Sequence, residues 1–241
     1  MKTYSITDTG VMREMNQDYF FASDEPVGNL PNLYIVADGM GGHKAGDYAS
    51  RYTTQRIVAS VSRNPEEEPV TILNEAIEVA NRLLIEEAME DETKRGMGTT
   101  VVAATIIDGK LYVANVGDSR LYLVGREMRQ ITRDHSLVAE MVRIGEMRAA
   151  EAKAHPDKNI ITRAIGASEH VEADFFEVDL TPEDRILLCT DGLTNMVDDS
   201  VIREIVTEDA PIEERVEKLV NAANRAGGKD NITVMIIESF S

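Results

Sequence analysis

Aspartates at the ends of apolar segments are the residues of this sequence that first suggest chemistry. Asp38 follows LYIVA, Asp118 follows LYVANVG, Asp191 follows RILLCT, and Asp230 precedes NITVMII. A single aspartate in such a place is ordinarily a turn or cap residue. If the four strand ends meet at one edge, however, four carboxylates converge and their repulsion requires cations. Oxygen ligands favour Mg²⁺ or Mn²⁺. The spacing alone leaves both interpretations open.

The glycine-rich segment VADGMGGHKAG, residues 36 to 46, has the composition of a phosphate-binding loop. It fails the nucleoside-triphosphate motif, because Lys44 follows His43 and is followed by Ala45. It also fails the dinucleotide motif, because Lys44 stands where the last glycine belongs. The glycines therefore predict only a tight turn from a strand into a helix.

Apolar periodicity predicts both strands and helices. Six short segments rich in β-branched residues are typical of strands: NLYIVA, TTVVAATII, KLYVANV, RLYLV, DRILLCT and NITVMII. Asp108-Gly109 predicts a type I′ hairpin between two of them. Helical spacing covers 44 to 62, 69 to 90 and 211 to 226, and DDSVIREIV is a shorter helix with an Asp cap.

The order of these elements indicates the fold class. Long helices do not alternate one by one with strands, which argues against a doubly wound parallel sheet and favours an α+β fold with antiparallel sheets covered by helices. The charged stretch from 136 to 170 interrupts the strands. It is either a surface excursion or a lid beside an active site.

Composition excludes several classes of function. With 25 Lys and Arg against 43 Asp and Glu among 241 residues, the formal net charge is −18. Such a surface repels nucleic acid and anionic lipid, which disfavours a nuclease. The single cysteine, Cys189, precludes an internal disulfide and is predicted to pack in the core. Neither a secretory leader nor a membrane span is recognisable, so we expect a cytoplasmic protein.

Eight segments together resemble the metal-dependent Ser/Thr protein phosphatases of type 2C in their bacterial form. They are TDTGVMREMNQDYF, VADGMGGHKAGDYAS, GMGTTVVAATI, LYVANVGDSRLYL, ITRDHS, ITRAIGA, LLCTDGL and GGKDNITVMII, in family order over nearly the whole chain. The resemblance implies a four-layer α/β/β/α sandwich in which helices flank two mainly antiparallel sheets. It also implies one catalytic domain over 1–241, with a flap subdomain at about 136–170 that affects substrate choice and product release.

The resemblance further implies a set of metal ligands. The cofactor would be Mn²⁺ or Mg²⁺, with two core ions and a weaker third. Asp38 matches the carboxylate that bridges the two core ions, and Gly39 matches a carbonyl ligand. The remaining matches are Asp191 and Asp230 as direct ligands, Asp18 as an acid that acts largely through water, and Asp118 as a partner of Asp191 at the third site.

Catalysis in this family implies hydrolysis of phosphoserine and phosphothreonine by a metal-activated water, without a covalent intermediate. Arg13 matches the arginine that grips the substrate phosphate, since a guanidinium pairs with two phosphate oxygens. Together with Asp38 it is the expected catalytic residue. Met40 departs from eukaryotic relatives, which often carry a histidine there, and methionine cannot donate a proton. Neither His43 nor His135 is assigned a role.

Two alternatives use the same fold. One is a non-catalytic module that binds phosphoproteins or a kinase; degenerate members of that kind lose metal ligands, whereas every matched acid is present here. The other is a phosphatase of the stress and sporulation branch, which often carries sensory domains for which this chain has no room. The expected partners are phosphorylated proteins and a cognate Ser/Thr kinase, without nucleic acid or membrane insertion, and the expected state is a monomer.

Overall fold

The computed structural model describes residues 1–42, 45–152 and 155–239, and gives the backbone alone for 149 and 150. The strands are β1 Lys2–Asp8, β2 Asp18–Ser23, β3 Leu33–Met40, β4 Gly98–Thr99, β5 Val101–Ile107, β6 Lys110–Val116, β7 Arg120–Val124, β8 Met128–Gln130, β9 Asp174–Asp179, β10 Arg185–Cys189 and β11 Ile232–Glu238. The helices are α1 Ala45–Val61, α2 Pro69–Glu90, α3 Leu137–Arg143, α4 Ala149–Ala152, α5 Asp191–Thr194, α6 Asp199–Thr207 and α7 Ile212–Arg225.

The strands form two antiparallel sheets. One has the order β1-β11-β10-β7-β8, and the other has the order β2-β3-β5-β6-β9, with β4 paired to β3. One buried cluster contains residues of α1 and α2 with β3 and β5, and a second contains residues of α6 and α7 with β10 and β11. A third cluster contains residues of both sheets and fills the space between them. The predicted four-layer α+β sandwich is therefore confirmed.

The predicted elements occur with small corrections. Asp108 and Gly109 have φ values of 51° and 77°, as a type I′ hairpin between β5 and β6 requires. The helices α1, α2 and α7 occupy the three predicted ranges, although position 44 lies outside the described residues. The N-cap of α6 is Asp198, but its side chain makes no capping hydrogen bond. The predicted Asp cap is thus correct in place and wrong in mechanism.

Every one of the six predicted strands lies inside a sheet, and the sequence pattern missed the strands at the edges. These are β1 and β8 in one sheet and β2 and β9 in the other. An inner strand packs on both faces and reads as an apolar run, whereas an edge strand mixes polar and apolar residues. In β1, for example, no residue is fully buried.

The segment from 136 to 170 contains α3, α4 and irregular chain. Isolated bridges join Ser136 to Ile161 within the segment and Ile165 to Thr99 of β4, which attaches its later part to a strand. Positions 153 and 154 lie outside the described residues. In the part of the chain that the structure covers, no helix has the length and apolarity needed to cross a bilayer.

Candidate metal centre

The topology brings the predicted aspartates to neighbouring strand ends within each sheet. Since β3 and β6 both run antiparallel to β5, they run in the same direction, and Asp38 and Asp118 lie at the same end of these strands. Since β10 and β11 are antiparallel, the end of one adjoins the start of the other, where Asp191 and Asp230 lie. Asp38 is still within β3 rather than beyond it, directly opposite Asp18 in β2.

The aspartates interact electrostatically. Burial raises the pKa of Asp38 well above its ordinary value, and the negative charges of the other four carboxylates raise it further. Burial likewise raises the pKa of Asp18 and of Asp118 to about 7, and that of Asp191 to about 6. Like charges that repel one another in a desolvated site favour protonation or a cation. The arrangement therefore favours binding of a positive ion.

Asp18 connects the two sheets. The residue is 5% exposed, and its Oδ2 accepts hydrogen bonds from Thr190 Oγ1 at 2.9 Å and from Thr233 Oγ1 at 2.7 Å. Thr233 lies in β11 and Thr190 directly follows β10, both strands of the sheet that does not contain Asp18. The hydroxyls stabilise the ionised form and partly offset the effect of burial on its pKa. Neither threonine was predicted to belong to the site, although Thr190 ends one predicted strand and Thr233 lies within another.

Backbone contacts hold Asp38 and Gly39 in place. The N–H of Asp38 donates to Thr100 Oγ1 at 2.9 Å, and the Asp38 carbonyl accepts from the N–H of Thr100 at 2.9 Å. Thr100 Oγ1 lies 2.8 Å from Ser119 Oγ, in the turn after β6. A Cβ at Gly39 would stand 2.0 Å from the carbonyl oxygen of Gly46, so only glycine fits the approach of α1 to β3.

Two carboxylate oxygens in this region are buried and have no hydrogen-bond partner among the described residues: Asp118 Oδ1 and Asp191 Oδ1. A buried oxygen without a partner costs free energy unless a ligand satisfies it. Both aspartates line a cavity of about 540 Å³, whose wall includes α3. Asn195 Nδ2 donates to the other oxygen of Asp191 at 2.7 Å.

The donor set fits a hard divalent cation. The groups that converge are oxygen donors, as Mg²⁺ and Mn²⁺ prefer. Within residues 1–42, 45–152 and 155–239, no three Asp, Glu, His or Cys side chains are arranged so that they could hold one ion by themselves. An ion here would therefore use one or two carboxylates, with carbonyl oxygens or water completing its coordination, as is common for Mg²⁺.

Arg13 lies beside these carboxylates. Its Nη2 donates to Asp230 Oδ2 at 2.7 Å, and its side chain is 49% exposed. The N–H groups of Val11 and Met12 donate to the carbonyl of Gly228, which fixes the loop that presents Arg13. The guanidinium thus lies at the rim of the site with much of its surface open to solvent.

The side chains of Met40 and Cys189 add no oxygen donor to the site. Met40 ends β3 opposite Gly98, and His43 lies outside the described residues. Cys189 is buried, and burial raises the pKa of its thiol to about 12, which keeps it protonated and unreactive. Asn231, which the sequence analysis missed, accepts from the N–H of Gln17 at 2.9 Å and ties β11 to the loop before β2.

Comparison with known proteins agrees with this geometry. The family model described as protein phosphatase 2C matches residues 11–234. The chain belongs to that family. The phosphatase is 42% identical over 246 residues to protein phosphatase PhpP of Streptococcus pneumoniae, covering 98% of this chain and 97% of that protein. It superposes on Stp1 of Staphylococcus aureus with a TM-score of 0.91, at 35% identity, covering 98% of this chain and 93% of the other.

A third similar structure concerns the metal. The catalytic domain of the serine/threonine phosphatase PstP, described in complex with two manganese ions, matches with a TM-score of 0.86 at 30% identity, covering 98% of this chain and 96% of that domain. The chain is a bacterial type 2C protein serine/threonine phosphatase, from a family that depends on metal ions. Phosphorylated proteins are its substrate class.

Proposed function

We propose that the phosphatase holds two Mn²⁺ or Mg²⁺ ions, and a weaker third, at the edge where its five aspartates converge. The observation that carries the proposal is that Asp118 and Asp191, which line one cavity, each have a buried oxygen without a partner among the described residues. Together with Asp18 and Asp230 they also raise the pKa of Asp38. Asp38, the Gly39 carbonyl, Asp191 and Asp230 would ligate the core ions, Asp18 would act largely through water, and Asp118 with Asp191 would hold the third ion.

The metal centre, when loaded, would supply a water of lowered pKa as the nucleophile that attacks phosphorus. Arg13 would bind two oxygens of the phosphate and stabilise the charge that develops on them. Its present partner is Asp230, so the guanidinium already has the position and the freedom to contact an anion at the rim. Met40, two residues after Asp38 in β3, has no proton to donate to the leaving group.

The test is hydrolysis of a phosphothreonine peptide as a function of added Mn²⁺ or Mg²⁺. We expect Asp38→Asn and Asp191→Asn to lower kcat by at least a hundredfold, and a chelator to abolish the wild-type activity. Asp108→Asn is a matched control, because Asp108 is exposed in a hairpin where asparagine tolerates positive φ. Turnover near the wild-type level in either site variant would contradict the assignment, and calorimetric titration with Mn²⁺ would locate the fault in binding or in chemistry.

We also propose that 136–170 forms a flap over the cleft, within one catalytic domain spanning 1–241. The support is that Val138, Ala139 and Val142 of α3 line the same cavity as Asp118 and Asp191. Exchange of this segment for that of a relative should change peptide preference, measured as kcat/KM over a peptide set. A change in stability with unchanged preference would oppose the proposal.

The remaining proposals concern the cellular setting. The phosphatase would remove the phosphates that a partner Ser/Thr protein kinase adds to proteins. It would act as a monomer. It would take part in signalling in the cytoplasm, a setting that suits a chain whose only cysteine is a buried thiol. Incubation with an autophosphorylated kinase domain, followed by phosphosite mass spectrometry, tests the first point. Retained kinase phosphorylation under conditions that cleave a peptide would oppose it.

A further inference from the structure

His135 lies at the start of the proposed flap, and its side chain is 6% exposed. Both backbone polar groups of Gly117 are bonded to this one residue. The N–H of Gly117 donates to the imidazole Nδ1 at 3.1 Å, and the carbonyl of Gly117 accepts from the N–H of His135 at 2.9 Å. Gly117 immediately precedes Asp118, so His135 grips the turn from which that carboxylate projects.

The turn can be held in this way only because of its unusual backbone. Gly117 has a φ of +108°, and a Cβ there would stand 2.5 Å from Thr100 Cγ2. Gly117 lies between two strands, since β6 ends at Val116 and β7 begins at Arg120. The imidazole therefore supplies the acceptor that a strand would otherwise supply, and a buried N–H without an acceptor would be costly.

The contacts of His135 define its tautomer. A backbone N–H can only donate, so Nδ1 must be the acceptor and carries no proton. The proton is then on Nε2, which lies 3.3 Å from Asp174 Oδ2 in β9 and 3.2 Å from Arg163 Nη1. Of these two neighbours only Asp174 can accept the proton in a hydrogen bond, because a guanidinium has no acceptor. Arg163 Nη1 donates to the other oxygen of Asp174 at 2.9 Å, which fixes that carboxylate. If Nδ1 were protonated, its N–H and the N–H of Gly117 would both be donors, and the hydrogen bond between them would be lost.

The same residue also contacts the later part of the flap. The N–H of Thr162 donates to the carbonyl of His135 at 2.8 Å, and a bridge joins Ser136 to Ile161 directly beside it. His135 immediately precedes the flap, and Ile161 and Thr162 lie in its later part. The imidazole, these two parts of the chain and the turn before Asp118 thus form one connected set of contacts.

We propose that His135 is a positioning residue: its neutral imidazole, protonated on Nε2 by contact with Asp174, holds the Gly117 turn and thereby orients the carboxylate of Asp118 for the metal-dependent reaction. The last clause rests on the proposed metal centre, whereas the hold on Gly117 does not. Burial lowers the pKa of His135 below its usual range, with a further lowering by Arg163, while Asp174 and Asp134 act in the opposite direction. The neutral form therefore prevails at neutral pH.

Two conservative variants separate positioning from mere packing. In His135→Asn the side-chain Oδ1 takes the place of Nδ1 and keeps an acceptor for Gly117. In His135→Gln the amide nitrogen takes the place of Nε2, and the acceptor for Gly117 is lost. His170→Gln is the matched control, because His170 is exposed and lies outside the contacts described above.

The first measurement is nuclear magnetic resonance of the whole phosphatase. We expect the ¹⁵N shifts of His135 to show a proton on Nε2 alone at pH 7.5. The protection of the Gly117 amide against hydrogen exchange should fall about tenfold or more in His135→Gln. It should stay within about threefold of wild type in His135→Asn and His170→Gln. In wild type that protection should also be lost as the pH falls through the pKa of His135, whereas His135→Asn should show no such step.

The second measurement is the Mn²⁺ concentration that gives half of the maximal phosphatase rate. It should rise severalfold in His135→Gln and much less in His135→Asn. Equal Gly117 protection in the two variants, or a proton on Nδ1, would overturn the hold on the turn. A released Gly117 amide with an unchanged Mn²⁺ requirement would overturn its link to the reaction. Wild-type protein without metal-dependent activity would instead overturn the proposed metal centre and leave the amide results intact.

Discussion

Removal of one hydroxyl tests whether the two sheets share a charged carboxylate. Thr233 is fully buried in β11 and donates to Asp18 Oδ2 at 2.7 Å. Because its proton is used in this way, Thr7 Oγ1, 2.8 Å away, must donate to it, and Asn16 Nδ2 donates in turn to Thr7 at 2.8 Å. Thr233→Val keeps the shape and the β-propensity of the residue and removes the hydrogen bond from Thr233 to Asp18.

The expected cost depends on the charge of Asp18. A hydrogen bond to a charged group contributes about 1.5–3 kcal/mol, and one between neutral groups about 1 kcal/mol. The pKa of Asp18 is raised to about 7, so the carboxylate is ionised at pH 8.5 and protonated at pH 5.5. We therefore expect Thr233→Val to lower the free energy of unfolding by about 2 kcal/mol at pH 8.5 and by about 1 kcal/mol at pH 5.5.

Urea denaturation in the presence of a chelator measures both values without a contribution from bound metal. Thr105→Val is the matched control, because Thr105 is equally buried in an inner strand and its hydroxyl donates to a neutral acceptor, the Asn32 carbonyl, at 2.8 Å. That variant should cost about 1 kcal/mol at either pH. If the two variants cost the same, and neither cost changes with pH, the reasoning about a buried ionised Asp18 is refuted.

Two further predictions use urea denaturation and thermal melting. In the presence of a chelator, the free energy of unfolding should fall as the pH rises from about 4 to about 7. In this range the folded chain keeps protons on Asp18 and its neighbours, whereas in the unfolded chain these aspartates have the ordinary pKa of 3.8 and have released them. The raised pKa of Asp18 alone corresponds to a fall on the order of 4 kcal/mol, which Asp18→Asn should remove and saturating Mn²⁺ should reverse. A stability that stays level over this range would contradict the mutual repulsion. Gly192→Ala should cost about 3 kcal/mol, because a Cβ there would stand 1.9 Å from the carbonyl oxygen of Asn231. Gly42→Ala should leave the melting temperature nearly unchanged, because a Cβ at Gly42 meets no atom of the described residues within 4 Å. Equal losses in the two variants would show that backbone freedom, rather than close approach, determines the cost.

How much of the fold could be predicted follows from where each strand lies. Strands buried on both faces are visible as apolar runs, and β3, β5, β6, β7, β10 and β11 were all predicted. The edge strands bury one face at most, and their mixed sequences do not stand out. Helix ranges were predicted closely, because an apolar stripe over 17 or 22 residues is a long signal, as in α1 and α2.

The candidate site divides in the same way. The aspartates attract notice because a carboxylate beside an apolar run is conspicuous in the sequence. The threonines that hold them do not, because Thr233 lies in a strand and Thr100 and Thr190 lie directly beside strands, and nothing marks them in the sequence until a distant partner is known. The hydroxyl of Thr233 and the carboxylate of Asp18 are separated by 215 positions in the chain. No local pattern can carry information about such a contact.

The sequence by itself therefore determined the α+β class, the inner strands, the long helices, the family and the residue types that can bind a hard cation. Only the tertiary structure decided that Asp38 and Asp118 of one sheet lie near Asp191 and Asp230 of the other. It also decided that hydroxyl groups of Thr190 and Thr233 bind Asp18 from the opposite sheet, and that His135 holds the turn before Asp118. The physical reason is that hydrophobic periodicity is a property of neighbouring residues, whereas pKa values, partnerless oxygens and tautomers depend on groups that only folding brings together.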